Sequence, residues 1–126
     1  MGVAVSGVRF TIPPDPAAVL QARRRVKEEL GDLPQRVVAD AELVVSELVT
    51  NSVLHAGLAP RDVIEVALRR DDERLVIEVD DRDGFFGKVG QHGPARRPGG
   101  MGLKLLDALC DYWEANAGRV VASLRI

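Results

Sequence analysis

A carboxylate and an amide stand four residues apart in the segment SELVTNSVLHA, residues 46–56. If this segment is helical, Glu47 and Asn51 lie one turn apart on the same side of the helix, beside an apolar stripe. An amide oxygen is a suitable ligand for Mg²⁺, which keeps water and phosphate oxygens at its other positions. A neighbouring carboxylate could accept the proton of an attacking hydroxyl or water. An isolated pair of this kind is more often a solvated helix surface, so the functional interpretation needs a cleft beside it.

A second carboxylate follows a predicted strand. Leu75, Ile77, Val79 and Asp81 share strand parity, so their side chains should point to one face of a sheet. Because the first three are apolar, Asp81 is predicted at the rim of the core. There it could accept a hydrogen bond from an exocyclic amine such as that of adenine. The alternative interpretation is a polar strand end that leads into a turn.

A third group of residues could bind an anion. The segment ARRPGGMGLKLL, residues 95–106, places three glycines where a helix is predicted to begin. Free backbone N–H groups at a helix N-terminus bind phosphates, and the two arginines upstream could add contacts. The segment is not a P-loop, which requires Gly-Lys-Ser/Thr. A flexible beginning of a helix with a solvated charge pair is the alternative.

Hydrophobic periodicity predicts the elements that must position these three groups. The predicted order is β-α-α-β-β-loop-α-β-β. This order indicates an α+β fold, a two-layer sandwich in which about three helices cover one face of a mainly antiparallel sheet. One domain is expected over residues 1–126. The predicted strands cover 7–12, 63–69, 75–81, 112–116 and 119–126, the helices cover 16–30, about 34–56 and 101–112, and a long loop covers 82–100.

Composition narrows the class of protein. The formal net charge is −2, and a nucleic-acid-binding domain would normally carry a clear basic excess. Cys110 is the single cysteine, and its helical pattern favours a buried structural thiol. The N-terminus has neither the pattern of a signal peptide nor that of a membrane span, so a cytoplasmic protein is expected.

The order and spacing of the three groups resemble the GHKL (histidine-kinase-like) ATP-binding fold. Within that fold the chain is similar to the small stand-alone bacterial anti-sigma-factor serine/threonine kinases. AELVVSELVTNSVLHA looks like the N box, VIEVDDRDG stands at the first glycine box, and RPGGMGLKLLDAL looks like the second. The resemblance covers nearly the whole chain.

The resemblance implies ATP and Mg²⁺ as cofactors. It implies that Glu47 is the catalytic base, that Asn51 coordinates Mg²⁺, and that Asp81 binds the adenine amine. The loop over residues 85–99 would be the ATP lid. The further nucleotide-binding residues that it implies are His55, Gly84, Arg97, Gly100, Met101, Gly102 and Leu103.

The implied function is that of a protein kinase that acts as an anti-sigma factor. It would phosphorylate an anti-anti-sigma (STAS-type) protein and sequester a sigma factor, as a homodimer, with neither nucleic acid nor membrane as a partner. The alternative is a catalytically weak or inactive binding module that regulates by protein contact alone. Asp83 and Val120 favour the alternative, because the family commonly has glycine and threonine there, whereas Glu47 and Asn51 favour the kinase.

Overall fold

The computed structural model describes residues 6–81, 104–116 and 118–126. Within these ranges the strands form one antiparallel sheet in the order β1-β2-β3-β5-β4. The predicted α+β class with helices on one face of an antiparallel sheet is confirmed. The elements are β1 (Ser6–Ile12), α1 (Ala18–Glu29), α2 (Gln35–His55), β2 (Ile64–Arg70), β3 (Arg74–Asp80), α3 (Lys104–Leu109), β4 (Tyr112–Asn116) and β5 (Arg119–Arg125).

The core lies between the helices and the sheet face that alternate strand residues share. Branched and aromatic side chains suit this half-buried pleated surface, which is why these segments form strands. The apolar stripe of α2 packs on the same core, as predicted from its periodicity. The buried core residues of the three central strands and of α2 are Ile64, Val66, Leu68, Leu75, Ile77, Val79, Ala122, Leu124, Val37, Ala41, Val44, Val45, Leu48 and Val49.

The opposite face of the sheet carries an ion-pair network around Glu78. This carboxylate is only 6% exposed. It lies 2.6 Å from the Arg119 guanidinium and 3.4 Å from that of Arg69. Arg119, and then Arg69, hold the pKa of Glu78 below its usual range despite its burial. The ionised carboxylate therefore stabilises the fold at neutral pH, and this contribution is lost as the pH falls through the lowered pKa.

The ends of α1 and α2 follow local chain chemistry. The prediction that α1 begins at Pro16 was two residues early, because Asp15–Ala17 first form a turn in which Asp15 Oδ1 accepts the Ala17 N–H at 2.9 Å. Helix α2 ends where Gly57 adopts a left-handed φ of 67°, which favours glycine. In the described part of the chain, no helix is sufficiently long and apolar to cross a membrane.

The third predicted helix was wrong at its C-terminal end. It was expected to continue to about Tyr112, but α3 ends at Leu109, and the strand predicted over residues 112–116 is confirmed as β4. The Asp111 N–H already donates to the Ser123 carbonyl at 3.0 Å, so pairing with β5 competes with further helical hydrogen bonds. The predicted first turn of this helix, residues 101–103, lies outside the described residues.

Candidate functional site

Helix α2 has α1 on one flank and the segment that contains α3 on the other. The interactions of two acidic side chains of α2 show which flank faces which neighbour. On one flank the Glu42 carboxylate lies 3.6 Å from the Arg23 guanidinium of α1. On the other flank Asp40 acts electrostatically on Cys110, which directly follows α3. The two flanks of α2 therefore face different elements, with α1 on the side of Glu42 and the α3 segment on the side of Asp40.

Glu47 and Asn51 belong to the flank that faces α3. They follow Asp40 by 7 and 11 residues, a spacing that returns to the same side of an α-helix. Both side chains are half-buried, in contrast with a fully solvated helix surface. His55 is the last residue of α2, one turn beyond Asn51, and is exposed.

Asp81 comes to the same region from the sheet. It directly follows β3 and is half-buried. Its backbone N–H donates to the carbonyl of Gly118 at 2.7 Å, and Gly118 has a φ of 85° in the turn before β5. The Ser52 side chain of α2 is a hydrogen-bonding neighbour that lowers the pKa of its carboxyl. The fold therefore brings Asp81 against the residue that follows Asn51.

Burial dominates the electrostatics of Asp81. Loss of water raises the pKa of its carboxyl above the usual value, the Ser52 hydrogen bond partly opposes that rise, and the charge of Asp80 adds to it. In such a place, every further hydrogen-bond donor that reaches the carboxylate stabilises its ionised form. Since a carboxylate offers about four acceptor positions, Asp81 can accept from a ligand amine in addition to Ser52.

The residues present fit a magnesium nucleotide. Asn51 supplies one neutral oxygen on a half-buried flank. That suits Mg²⁺, which is usually held by few protein ligands together with waters and substrate phosphates. Asp81 supplies a desolvated acceptor beside Ser52, the residue that follows Asn51. The two positions would serve opposite ends of the nucleotide, the phosphates and the base.

Ser52 is a site residue that sequence reasoning missed. Its place on the apolar stripe of α2 assigned it to the core, and it is indeed only 5% exposed. The available signal was its chemistry, because a hydroxyl among valines and leucines requires a hydrogen-bond partner. The partner could not be identified from sequence, because it lies 29 residues further along the chain.

Several predicted site residues lie outside the described ranges. Val120, at the position where the family often has threonine, is half-buried in β5 and is paired in register with Val79. Of the predicted site residues, Glu47, Asn51, His55 and Asp81 lie within the described ranges. The residues outside the described ranges are Asp83, Gly84, Arg97, Gly100, Met101, Gly102 and Leu103.

The family assignment rests on most of the chain. The model of the histidine kinase-like ATPase domain family matches residues 12–126. The chain belongs to this family. The match confirms the predicted resemblance, and it includes both α2 and the segment around Asp81.

A solved structure shows the same fold. It is the crystal structure of the RsbU and RsbW domains of Rv1364c from Mycobacterium tuberculosis, with a TM-score of 0.67 and 23% sequence identity. The similarity covers 95% of this histidine kinase-like ATPase chain but 32% of the Rv1364c chain, so it spans about a third of that structure. No curated protein matches the sequence significantly.

Cys110 is expected to be chemically inert in the folded protein. Burial, together with the charges of Asp40 and Asp107, raises the pKa of its thiol to about 11. Because the thiolate is the nucleophile, alkylation by iodoacetamide at pH 8 should be at least ~100-fold slower than for the unfolded chain. Timed labelling followed by mass spectrometry, with and without urea, measures this ratio. Equal rates in the two conditions would contradict the structural assignment of the thiol.

Proposed function

We propose that this histidine kinase-like ATPase chain binds ATP with Mg²⁺ and acts as a protein serine/threonine kinase. The observation that carries the proposal is the convergence at α2. Glu47 and Asn51 are half-buried on the flank of α2 that faces α3. Asp81 lies beside Ser52, the residue that follows Asn51. Family membership supports nucleotide binding independently of these contacts.

Each residue has a separate task in the proposed site. Asp81 accepts a hydrogen bond from the adenine amine, and its partly desolvated carboxylate makes that hydrogen bond charge-assisted. Asn51 coordinates Mg²⁺, which neutralises phosphate charge when bound. Glu47, one turn earlier on the same flank, is the general base. His55, Gly100 and Gly102 would add contacts to the phosphates.

The proposed reaction transfers the terminal phosphoryl group to a hydroxyl. The bond between the γ-phosphorus and the oxygen shared with the β-phosphate breaks, and a bond from the γ-phosphorus to the serine or threonine oxygen forms. Glu47 takes the hydroxyl proton, and ADP leaves with the electrons of the broken bond. The protein itself positions the nucleotide and the hydroxyl, supplies the base and excludes water.

We further propose that the chain is an anti-sigma factor with an anti-anti-sigma (STAS-type) protein as its phosphate acceptor and a sigma factor as its second partner. The RsbW domain in the similar Mycobacterium tuberculosis structure supports this assignment. The family model matches residues 12–126, which supports the proposal of one catalytic domain over residues 1–126. Purified acceptor candidates that contain a serine would be tested for phosphate incorporation.

A second candidate function is regulation by contact alone. Val120 favours it, because an apolar side chain in β5 cannot donate a hydrogen bond to the base. On this alternative the fold is retained, but ATP binds weakly or not at all. The two candidates differ in one measurable property, the affinity for ATP in the presence of Mg²⁺.

Calorimetric titration with ATP distinguishes the two candidates. The wild-type chain is expected to bind ATP saturably with Mg²⁺, and Asn51→Ala is expected to remove the Mg²⁺-dependent part of the affinity, at least ~10-fold. Asn116→Ala, an exposed amide on β4, is the matched control and should bind as wild type does. Absence of binding at millimolar ATP would favour the contact-only regulator.

A further inference from the structure

Helix α3 depends on contacts with other elements for its position. The structure describes it as six residues, Lys104–Leu109, of which Leu106 is buried in the core. An isolated helix of this length is not stable in water, because forming its first turn costs more free energy than so few further hydrogen bonds return. The half-buried Leu109 packs against the same core. Apolar contacts are non-directional, so a directional contact is needed to fix the angle of so short a helix.

A hydrogen bond between α3 and β4 supplies that directional contact. The indole Nε1–H of Trp113 donates to Asp107 Oδ1 at 2.9 Å. Trp113 is half-buried against the core and is paired in register with Ala122 of β5, so the sheet holds its backbone and the core holds its ring. A hydrogen bond from a fixed ring to a carboxylate is strong and directional. It therefore ties α3 to the edge strand of the sheet at a defined angle.

The position of α3 matters because α3 faces the flank of α2 that carries Glu47 and Asn51. The two helices are in contact, and the distance between them sets the room beside that flank. Asp107 directly follows Leu106, so the hydrogen bond acts next to the residue that anchors α3 in the core. A misplacement of about 1 Å in a site can cost about 100-fold in rate, so a small shift of α3 would be measurable.

We propose that Trp113 is a positioning residue, whose hydrogen bond to Asp107 holds α3 at the distance from α2 that a nucleotide requires beside Glu47 and Asn51. This inference rests on the proposed function, because it assumes that the nucleotide lies beside this flank of α2. Trp113 acts through α3 and not by touching the nucleotide. It keeps α3 in place before the ligand arrives, so less free energy is lost in ordering the site on binding.

The test is calorimetric titration with ATP and Mg²⁺ of wild type, Trp113→Phe, Asp107→Ala and the double variant. Phenylalanine keeps an apolar ring and removes the N–H donor, while Asp107 is exposed, so its replacement should leave the fold intact. Each single variant is expected to bind ATP about fivefold more weakly. The double variant should lose the same factor and not the product, because both changes remove one hydrogen bond. Asp107→Asn keeps an acceptor oxygen and should restore wild-type affinity.

A second measurement separates positioning from general stability. Trp113 is the single tryptophan of the chain, so its indole N–H gives one signal in the N–H region of the NMR spectrum. Addition of ATP with Mg²⁺ to wild type is expected to shift this signal, with the same saturation as the calorimetric titration. A residue that contributes only to stability would change the urea midpoint of its variants and leave the ATP affinity of the folded chain unchanged.

Tyr112→Phe is the matched control. The exposed Tyr112 hydroxyl donates to Glu114 at 2.6 Å, so this variant removes a donor from the same strand and keeps the ring. It should bind ATP as wild type does. Wild-type affinity in Trp113→Phe or in Asp107→Ala, or an Asp107→Asn variant as weak as Asp107→Ala, would overturn the role of Trp113 alone. If Trp113→Phe does not fold, the two Asp107 variants decide the outcome. A wild-type chain that does not bind ATP would overturn the proposed function and this inference with it.

Discussion

Replacing Asp81 by Asn is expected to weaken ATP binding roughly 10- to 100-fold, the range for loss of a hydrogen bond to a charged group. The amide keeps one acceptor oxygen where the carboxylate has two. If Ser52 donates to that oxygen, the adenine amine meets the N–H₂ end of the side chain, and two donors face each other. Calorimetric titration with ATP and Mg²⁺ measures the loss.

Asp80→Asn is the control for this variant. Asp80 precedes Asp81 but has opposite strand parity, and it lies on the charged outer face in register with Arg119. The same chemical change there should leave ATP binding in place. Equal loss in both variants would mean that the charge of this strand end, rather than the placement of Asp81, determines the affinity.

The Asp81→Asn variant should unfold no more easily than wild type at pH 7. The folded pKa of Asp81 lies above its value of 3.8 in the unfolded chain, mainly because of burial. Ionised Asp81 therefore lowers the free energy of unfolding at neutral pH, and that cost disappears as the pH falls through the raised pKa. Urea denaturation at pH 7 and at pH 4 should show any advantage of the variant shrinking at the lower pH. A variant that is markedly less stable at pH 7 would contradict this account.

The positions of Glu47 and Asp81 were predictable because each depends on a local repeat. Helical spacing places Glu47 and Asn51 on one flank, and strand parity directs Asp81 toward the core face. Each of these two patterns can be recognised from a few neighbouring residues of the sequence. The packing of α2 on the sheet then follows, because each element has a single apolar face to bury.

Long-range pairings could not be read in the same way. Glu78 has the parity of a solvent-facing strand residue, yet it is buried between Arg69 and Arg119, which come from the two flanking strands. The sequence contains many arginines and acidic residues, and no local sequence pattern indicates that these three pair with one another. The Ser52–Asp81 contact has the same character, since only the packing of α2 on the sheet brings the two together.

Replacing Glu47 by Gln is expected to lower phosphotransfer by about 100-fold or more, while ATP binding is retained. A positioned general base contributes on the order of 100- to 10,000-fold, and an amide cannot take the hydroxyl proton. In the proposed site, Asn51 and Asp81 hold the nucleotide, so the affinity should not depend on the Glu47 charge. Single-turnover transfer of labelled phosphate to the acceptor protein gives the rate, and calorimetry gives the affinity.

Glu42→Gln is the matched control for Glu47→Gln, because it makes the same change on the opposite flank of α2. Glu42 pairs with Arg23 of α1 at 3.6 Å, so its loss should cost a little stability and no phosphotransfer. Equal loss of transfer in both variants would indicate general damage to α2. Transfer at the wild-type rate in Glu47→Gln would show that the hydroxyl proton leaves by another route, and the base would then have to be sought among the residues that approach the same flank of α2.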